Sequence, residues 1–246
     1  MAYGGYYITY RVSRIFWLAL PRNYAAAPTF EKNHLGNGWH CFKIRFSDEE
    51  HSKCLIAALN SRFIIFMGHG GESKLCGACA KNGEETVDEV ARQENIEYYN
   101  NHDYINIDNV NIFKGHILCC FSCNSNRNSS KSLGRRAIQC GVTSYIGFGD
   151  IPTDFIEENN FSKRCIAIYK GYIVKIMKHS LYIAISGNCT VDGFVNIIKL
   201  LTTKEIQNLH STKHNIRHKS KIINRLVEFK NDIRVLGDPY ARLCIH

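Results

Sequence analysis

A chain of 246 residues with 45% hydrophobic side chains can bury one substantial core, so a single domain over residues 1–246 is expected. The only signal-like stretch, Ile15 to Leu20, is followed by Pro21 and Arg22, has no convincing cleavage site and falls far short of the ~18–20 residues of a membrane span. Eleven Cys, an odd number without regular spacing, argue against a secreted disulfide scaffold and for a reducing, cytoplasmic setting, and the net charge of +9 needs a structural explanation.

Tyr6 to Val12 is rich in aromatic and β-branched residues and predicts a strand, as does Trp39 to Phe46 with its period-2 alternation, while Pro21 to Gly38 between them reads as loop. Ser47-Asp48-Glu49-Glu50 caps a helix through about Leu59, with acids in its first turn, where the helix dipole favours them. The apolar run Phe63 to Met67 then ends in Gly68-His69-Gly70-Gly71, the pattern of a buried parallel strand spilling into a loop at the carboxyl edge of a sheet. Residues 72–110 form a polar insertion carrying Glu84, Glu85, Asp88, Glu89 and Glu94.

A second apolar run, Ile117 to Phe121, ends in Ser122-Cys123-Asn124-Ser125. After it come a polar loop from Asn124 to Ser132, a short helix from Leu133 to Cys140 and a buried strand from Gly141 to Phe148. Residues 154–232 are mostly helical by periodicity, and Tyr240 to Ile245 predicts a last strand. Alternating strands and helices imply parallel pairing with right-handed crossovers, hence an α/β fold with a mostly parallel central sheet flanked by helices. In the last third, Lys204, Lys213, Arg217, His218, Lys219, Lys221, Arg225 and Lys230 alternate with Ile216, Ile222, Ile223, Leu226, Val227 and Ile233. That is the solvated face of amphipathic helices, and with no nucleic-acid reading module beside it, direct nucleic-acid binding is not expected.

Open α/β sheets place their chemistry at the carboxyl edge. His69 and Cys123, delivered there by two strands, make a thiol nucleophile with an imidazole partner. A thiol of ordinary pKa is only slightly ionised at neutral pH, so the imidazole has work to do. Cys119 and Cys120 lie mid-strand and read as small buried hydrophobes. His116 begins its strand at the opposite edge, and His102 sits in a polar loop. Cys76-Gly77-Ala78-Cys79 has the spacing of half a zinc site, but no second pair accompanies it, so no metal is expected.

A strand ending in His-Gly, a strand ending in Ser-Cys, a small-residue strand from Cys140-Gly141-Val142 and the late segment Val235-Leu236-Gly237-Asp238-Pro239 together resemble the caspase-like cysteine peptidases of clan CD, and most closely in pattern the bacterial CHAT and gingipain-like domains. The resemblance covers residues 60–150 well and the rest loosely. It implies a caspase-like three-layer sandwich and a thiol protease that needs no cofactor. His69 would be the general acid or base and Cys123 the nucleophile, with the Gly70 and Cys123 backbone N–H groups forming an oxyanion hole. The chain lacks the Gln-Ala-Cys-x-Gly signature of caspases, which leaves caspase-type specificity for Asp without support.

In that fold the strand after the cysteine strand helps to build the pocket for the residue preceding the scissile bond. Here it exits through Gly149-Asp150-Ile151-Pro152, and an acid at a Gly-flanked exit suits a basic substrate side chain. The plainer alternative has Asp150 or Asp154 capping the next helix. The expectation is a cysteine endopeptidase acting on a protein or peptide after a basic residue, regulated by a protein partner or ligand, in a bacterial antiviral-defence or cell-death type of system. The alternative is a catalytically silent module docking a partner through its basic C-terminal helices.

Overall fold

The fold is described from a computed structural model, which covers residues 5–7, 15–17, 40–44, 53, 55–56, 58–68, 70–76, 103–151, 163–212, 216 and 218–244. The expectations attached to His69, Cys79, His102 and Asp154 lie outside the described residues.

The strands are β1 (Gly5–Tyr7), β2 (Ile15–Trp17), β3 (His40–Ile44), β4 (Phe63–Met67), β5 (Lys74–Cys76), β6 (Asp103–Asn106), β7 (Ile117–Phe121), β8 (Ser144–Gly147) and β9 (Arg234–Gly237). Seven of them form one sheet in the order β1-β3-β2-β4-β7-β8-β9. Its middle is parallel throughout, β3 to β2, β2 to β4, β4 to β7 and β7 to β8. The outer pairs β1–β3 and β8–β9 are antiparallel. β5 and β6 make a separate antiparallel pair at the two ends of the polar insertion.

The continuous apolar runs form the middle of the sheet because both faces there are covered. Every residue of β4, β7 and β8 is buried. Phe63 on β4 meets Phe194 of helix α3 (Val191–Ser211) edge-on at 5.7 Å. On the same face Phe121 packs with Phe148 and with Phe229 of helix α4 (Lys219–Asn231). A long helix, α2 (Lys163–Ser186), joins α3 and α4 in this layer, tied to α3 by the Lys175–Glu205 ion pair at 2.7 Å.

The opposite face carries Leu118 and Cys120 of β7 beside Tyr145 and Gly147 of β8. Helix α1 (Leu133–Gln139) lies there, with Gly134 directly over the Tyr145 ring. Ser132 starts α1 by accepting a hydrogen bond from the Arg135 N–H at 3.3 Å, an N-cap that ends the polar loop where the sequence puts it. Helices on both faces of a mostly parallel sheet make the described part an α/β/α layered fold.

Two elements differ from expectation. Ile15–Trp17, at the start of the signal-like stretch, is a strand inside the sheet between β3 and β4. The last strand is Arg234–Gly237 rather than Tyr240–Ile245, of which the described residues 240–244 contribute only the isolated bridge Thr190–Arg242. Ala241, Leu243 and Cys244 are nevertheless buried, which accounts for the apolar pattern without a strand. α4 buries Ile222, Ile223, Leu226 and Phe229, leaves Lys221 exposed and holds Lys219, Arg225 and Lys230 half-buried, while Lys213 and Arg217 lie outside the described residues. Among the described residues, no helix is long and apolar enough to cross a membrane.

Candidate active site at the carboxyl edge of the sheet

β4 and β7 are direct neighbours, in register from Phe63–Ile117 to Met67–Phe121. The pairing continues past the strand ends, where the Gly68 N–H donates to the Phe121 carbonyl at 3.3 Å. Gly70 comes still closer to the cysteine loop: a Cβ there would stand 2.8 Å from Ser122 Oγ and 2.9 Å from the Lys74 carbonyl. Only glycine fits so narrow a gap. Gly70 also bridges to Leu75, and the bond beside that bridge is donated by Gly71 to Lys74 at 2.9 Å. In such a pattern the central residue's own N–H points away from the hairpin.

Cys123 follows β7 by two residues and is half-buried, with its thiol donating to the Ile151 carbonyl at 3.1 Å. Asn124 next to it adopts a left-handed conformation, φ 56°, which turns the chain sharply at the thiol and which Asn tolerates better than most residues. The turn is lashed to the exit of β8. Asn124 N–H donates to Gly149 O and Asn126 N–H to Phe148 O, both at 3.0 Å. Ser125 completes the fastening from within: its buried hydroxyl donates to the Cys120 carbonyl at 2.6 Å and accepts from the Phe148 N–H at 2.8 Å.

The other thiols of β7 differ in kind. Cys119 and Cys120 are fully buried, and burial pushes both upward, Cys120 to about 12, with the adjacent Tyr145 hydroxyl pulling weakly the other way. Neither yields a thiolate at neutral pH. His116 sits at the amino edge of β7, as expected, with Nδ1 2.9 Å from Lys114 O and Nε2 3.1 Å from Leu59 O. Cys76 lies in β5, and among the described residues no group of three or more His, Cys, Asp or Glu side chains could hold a metal ion.

A cleft of about 630 Å³ opens along the carboxyl edge, bordered by Asn124 of the turn after Cys123 but not by Cys123 itself. Glu72 from the loop after β4, Asn124 and residues 126–129 after β7, Gly149 and Asp150 after β8, and Asp232 and Arg234 at the α4–β9 junction border it. Asp150 is therefore at the rim of a concavity that reaches the turn at Asn124. It also faces Arg225 of α4 at 3.6 Å, a guanidinium shared with Glu228 at 2.9 Å. The next described helix after Asp150 begins at Lys163, so no described helix is capped by it.

Two features of this region carry no sequence signal. Tyr169 of α2 is buried with its hydroxyl unpartnered among the described residues. Burial, and then the negative charges of Asp150, Cys123 and Glu228, hold its proton on, which sets this hydroxyl within electrostatic reach of the thiol. The Ser122 hydroxyl, buried against Gly70, is likewise unpartnered among the described residues. Compared with known proteins, the chain matches no family model, no curated protein and no solved structure.

Proposed function

We propose that this protein is a cysteine endopeptidase of the caspase-like type, with Cys123 as nucleophile and His69 as its acid–base partner. The observation that carries the reading is the pairing of β4 with β7 as adjacent parallel strands, continued by the Gly68–Phe121 hydrogen bond. It accompanies the approach of Gly68 to Phe121 and of Gly70 to Ser122, the residue that precedes Cys123. An imidazole and a thiol delivered from neighbouring strand exits are what a dyad requires.

In this mechanism the Cys123 thiolate attacks the scissile carbonyl carbon, and the carbonyl electrons move to oxygen. The Gly70 and Cys123 N–H groups stabilise that oxyanion, each donor being worth about 3 kcal/mol. Collapse of the intermediate breaks the C–N bond, His69 gives its proton to the leaving amine, and a thioester remains on Cys123. Water, deprotonated by His69, then attacks the thioester, releasing the carboxylic acid product and regenerating the thiol. Cleavage after a basic residue is favoured by the acids bordering the cleft. Regulation by a protein partner or ligand belongs to the same proposal through the family likeness.

A peptide ending in an electrophilic arginyl group tests the reading. Covalent labelling mapped to Cys123, and lost in Cys123→Ala and His69→Ala, is the expected result. Absence of labelling in the wild-type protein with every electrophilic peptide tried would favour the silent docking module.

A further inference from the structure

We propose that Asp232, at the junction of α4 and β9, is the specificity-determining carboxylate of the carboxyl-edge cleft and takes the guanidinium or amidinium of a basic side chain, with Asp150 in a lesser role. Its meaning as substrate specificity rests on the peptidase reading above; the binding itself does not.

The Asp232 carboxylate lies directly on the bare backbone of Gly149. A Cβ at position 149 would stand 2.5 Å from its Oδ2 and 2.6 Å from its Cβ, so the absence of a side chain there is what admits the acid. Gly149 is two residues before Ile151, whose carbonyl receives the Cys123 thiol. A cation bound at Asp232 therefore sits in the same cleft as the turn that carries the nucleophile.

The neighbouring charges separate the two acids. Asp150 already faces Arg225. Glu72 is engaged by the Ser129 hydroxyl, and the Arg127 guanidinium by Asn124 Oδ1 at 3.2 Å. Among the described residues, no cation lies within ion-pair distance of the Asp232 carboxylate, and the exposed Arg234 on the same rim is not paired with it. The backbone of Asp232 is fixed, its carbonyl accepting from Asn126 Nδ2 at 2.8 Å and its N–H donating to Glu228 O at 2.9 Å. Asp232 is solvent-exposed at the border of the cleft, and a carboxylate without a counter-ion gains more from an incoming cation than one that already has a partner.

The probe is benzamidine, with uncharged benzamide as control, and binding to the full chain is measured by calorimetry. Benzamidine should bind the wild-type protein and benzamide should not. Asp232→Asn should weaken benzamidine about ten-fold or more, and Asp150→Asn less than about three-fold. If Asp232→Asn fails to fold, Asp232→Ser carries the same expectation. No benzamidine binding to the wild type, wild-type affinity in the Asp232 variants, or a larger loss in Asp150→Asn overturns the assignment. The two readings fail separately. Benzamidine binding as expected without Cys123-dependent peptide cleavage removes the peptidase and keeps the cleft. Cys123-dependent cleavage in which Asp232→Asn slows arginyl and neutral peptides equally keeps the peptidase and removes Asp232.

Discussion

Three cysteines within five residues illustrate how position sets the chemistry of one side chain. Cys119 and Cys120 are sealed between helix layers, where a thiolate has no solvation, and Cys120 is driven to about 12. Cys123 lies beyond the strand, half-buried, at a turn forced by the left-handed Asn124. Limited alkylation with iodoacetamide at neutral pH should therefore modify Cys123 and leave Cys119 and Cys120 untouched in the native protein, as read by peptide mapping. Cys123→Ala and His69→Ala should each abolish peptide cleavage. Cys120→Ala should leave turnover largely intact and cost about 1 kcal/mol of stability, the expense of a small internal void. Full turnover in Cys123→Ala would move the nucleophile elsewhere.

At the scale of elements, the site depends on how the exits of β7 and β8 are bound together, and Ser125 is the fastening. Its hydroxyl fills the space between the Cys120 carbonyl and the Phe148 N–H, both buried. Ser125→Ala would strand the Phe148 N–H, while the Cys120 carbonyl keeps the Ser122 N–H at 2.9 Å, at a cost of about 1–3 kcal/mol in unfolding free energy by urea titration. The same change should lower the alkylation rate of Cys123, because the turn at Asn124 loses its anchor. An unchanged rate in a folded variant would show that the turn holds itself.

The apolar runs of β4 and β7 were legible in the sequence because a parallel strand covered on both faces is hydrophobic without interruption, and α1 because a polar loop and the Ser132 cap precede it. β2 is only three residues long, and β9 is half-exposed, with an exposed arginine and glycine at its ends. Neither length nor alternation marks such strands, whereas the buried coil at 241–244 imitates one. The same physics divides the site. Cys123 was visible because it closely follows a strand, and Asp150 because it follows Gly149 where another strand exits. Asp232 and Tyr169 come from helices far along the chain, and helical periodicity says nothing about which loop a helix end will meet.

For the molecule as a whole, the sealed centre of the sheet makes stability depend on alkaline pH. Burial raises the pKa of Cys119, Cys120, Tyr104, Tyr145 and Tyr169 in the folded state. In the unfolded chain a cysteine ionises near ~8.5 and a tyrosine near ~10. Above ~8.5 the unfolded chain thus binds fewer protons than the folded one, and the stability derivative with pH is negative. The contribution of these groups is fully present below ~8.5 and is lost as pH rises toward their folded values, about 12 for Cys120. An unmatched thiol removes about 1.4 kcal/mol per pH unit, so Cys120 alone should cost roughly 2–3 kcal/mol by about pH 10.5. The double variant Cys119→Val/Cys120→Ala isolates the effect. Between pH 8.5 and 10, before tyrosine ionisation intervenes, its urea midpoint should fall much less steeply with pH than that of the wild type. Parallel slopes for the two proteins would mean that the thiols reach solvent, and the inertness of Cys119 and Cys120 beside the nucleophile would need another cause.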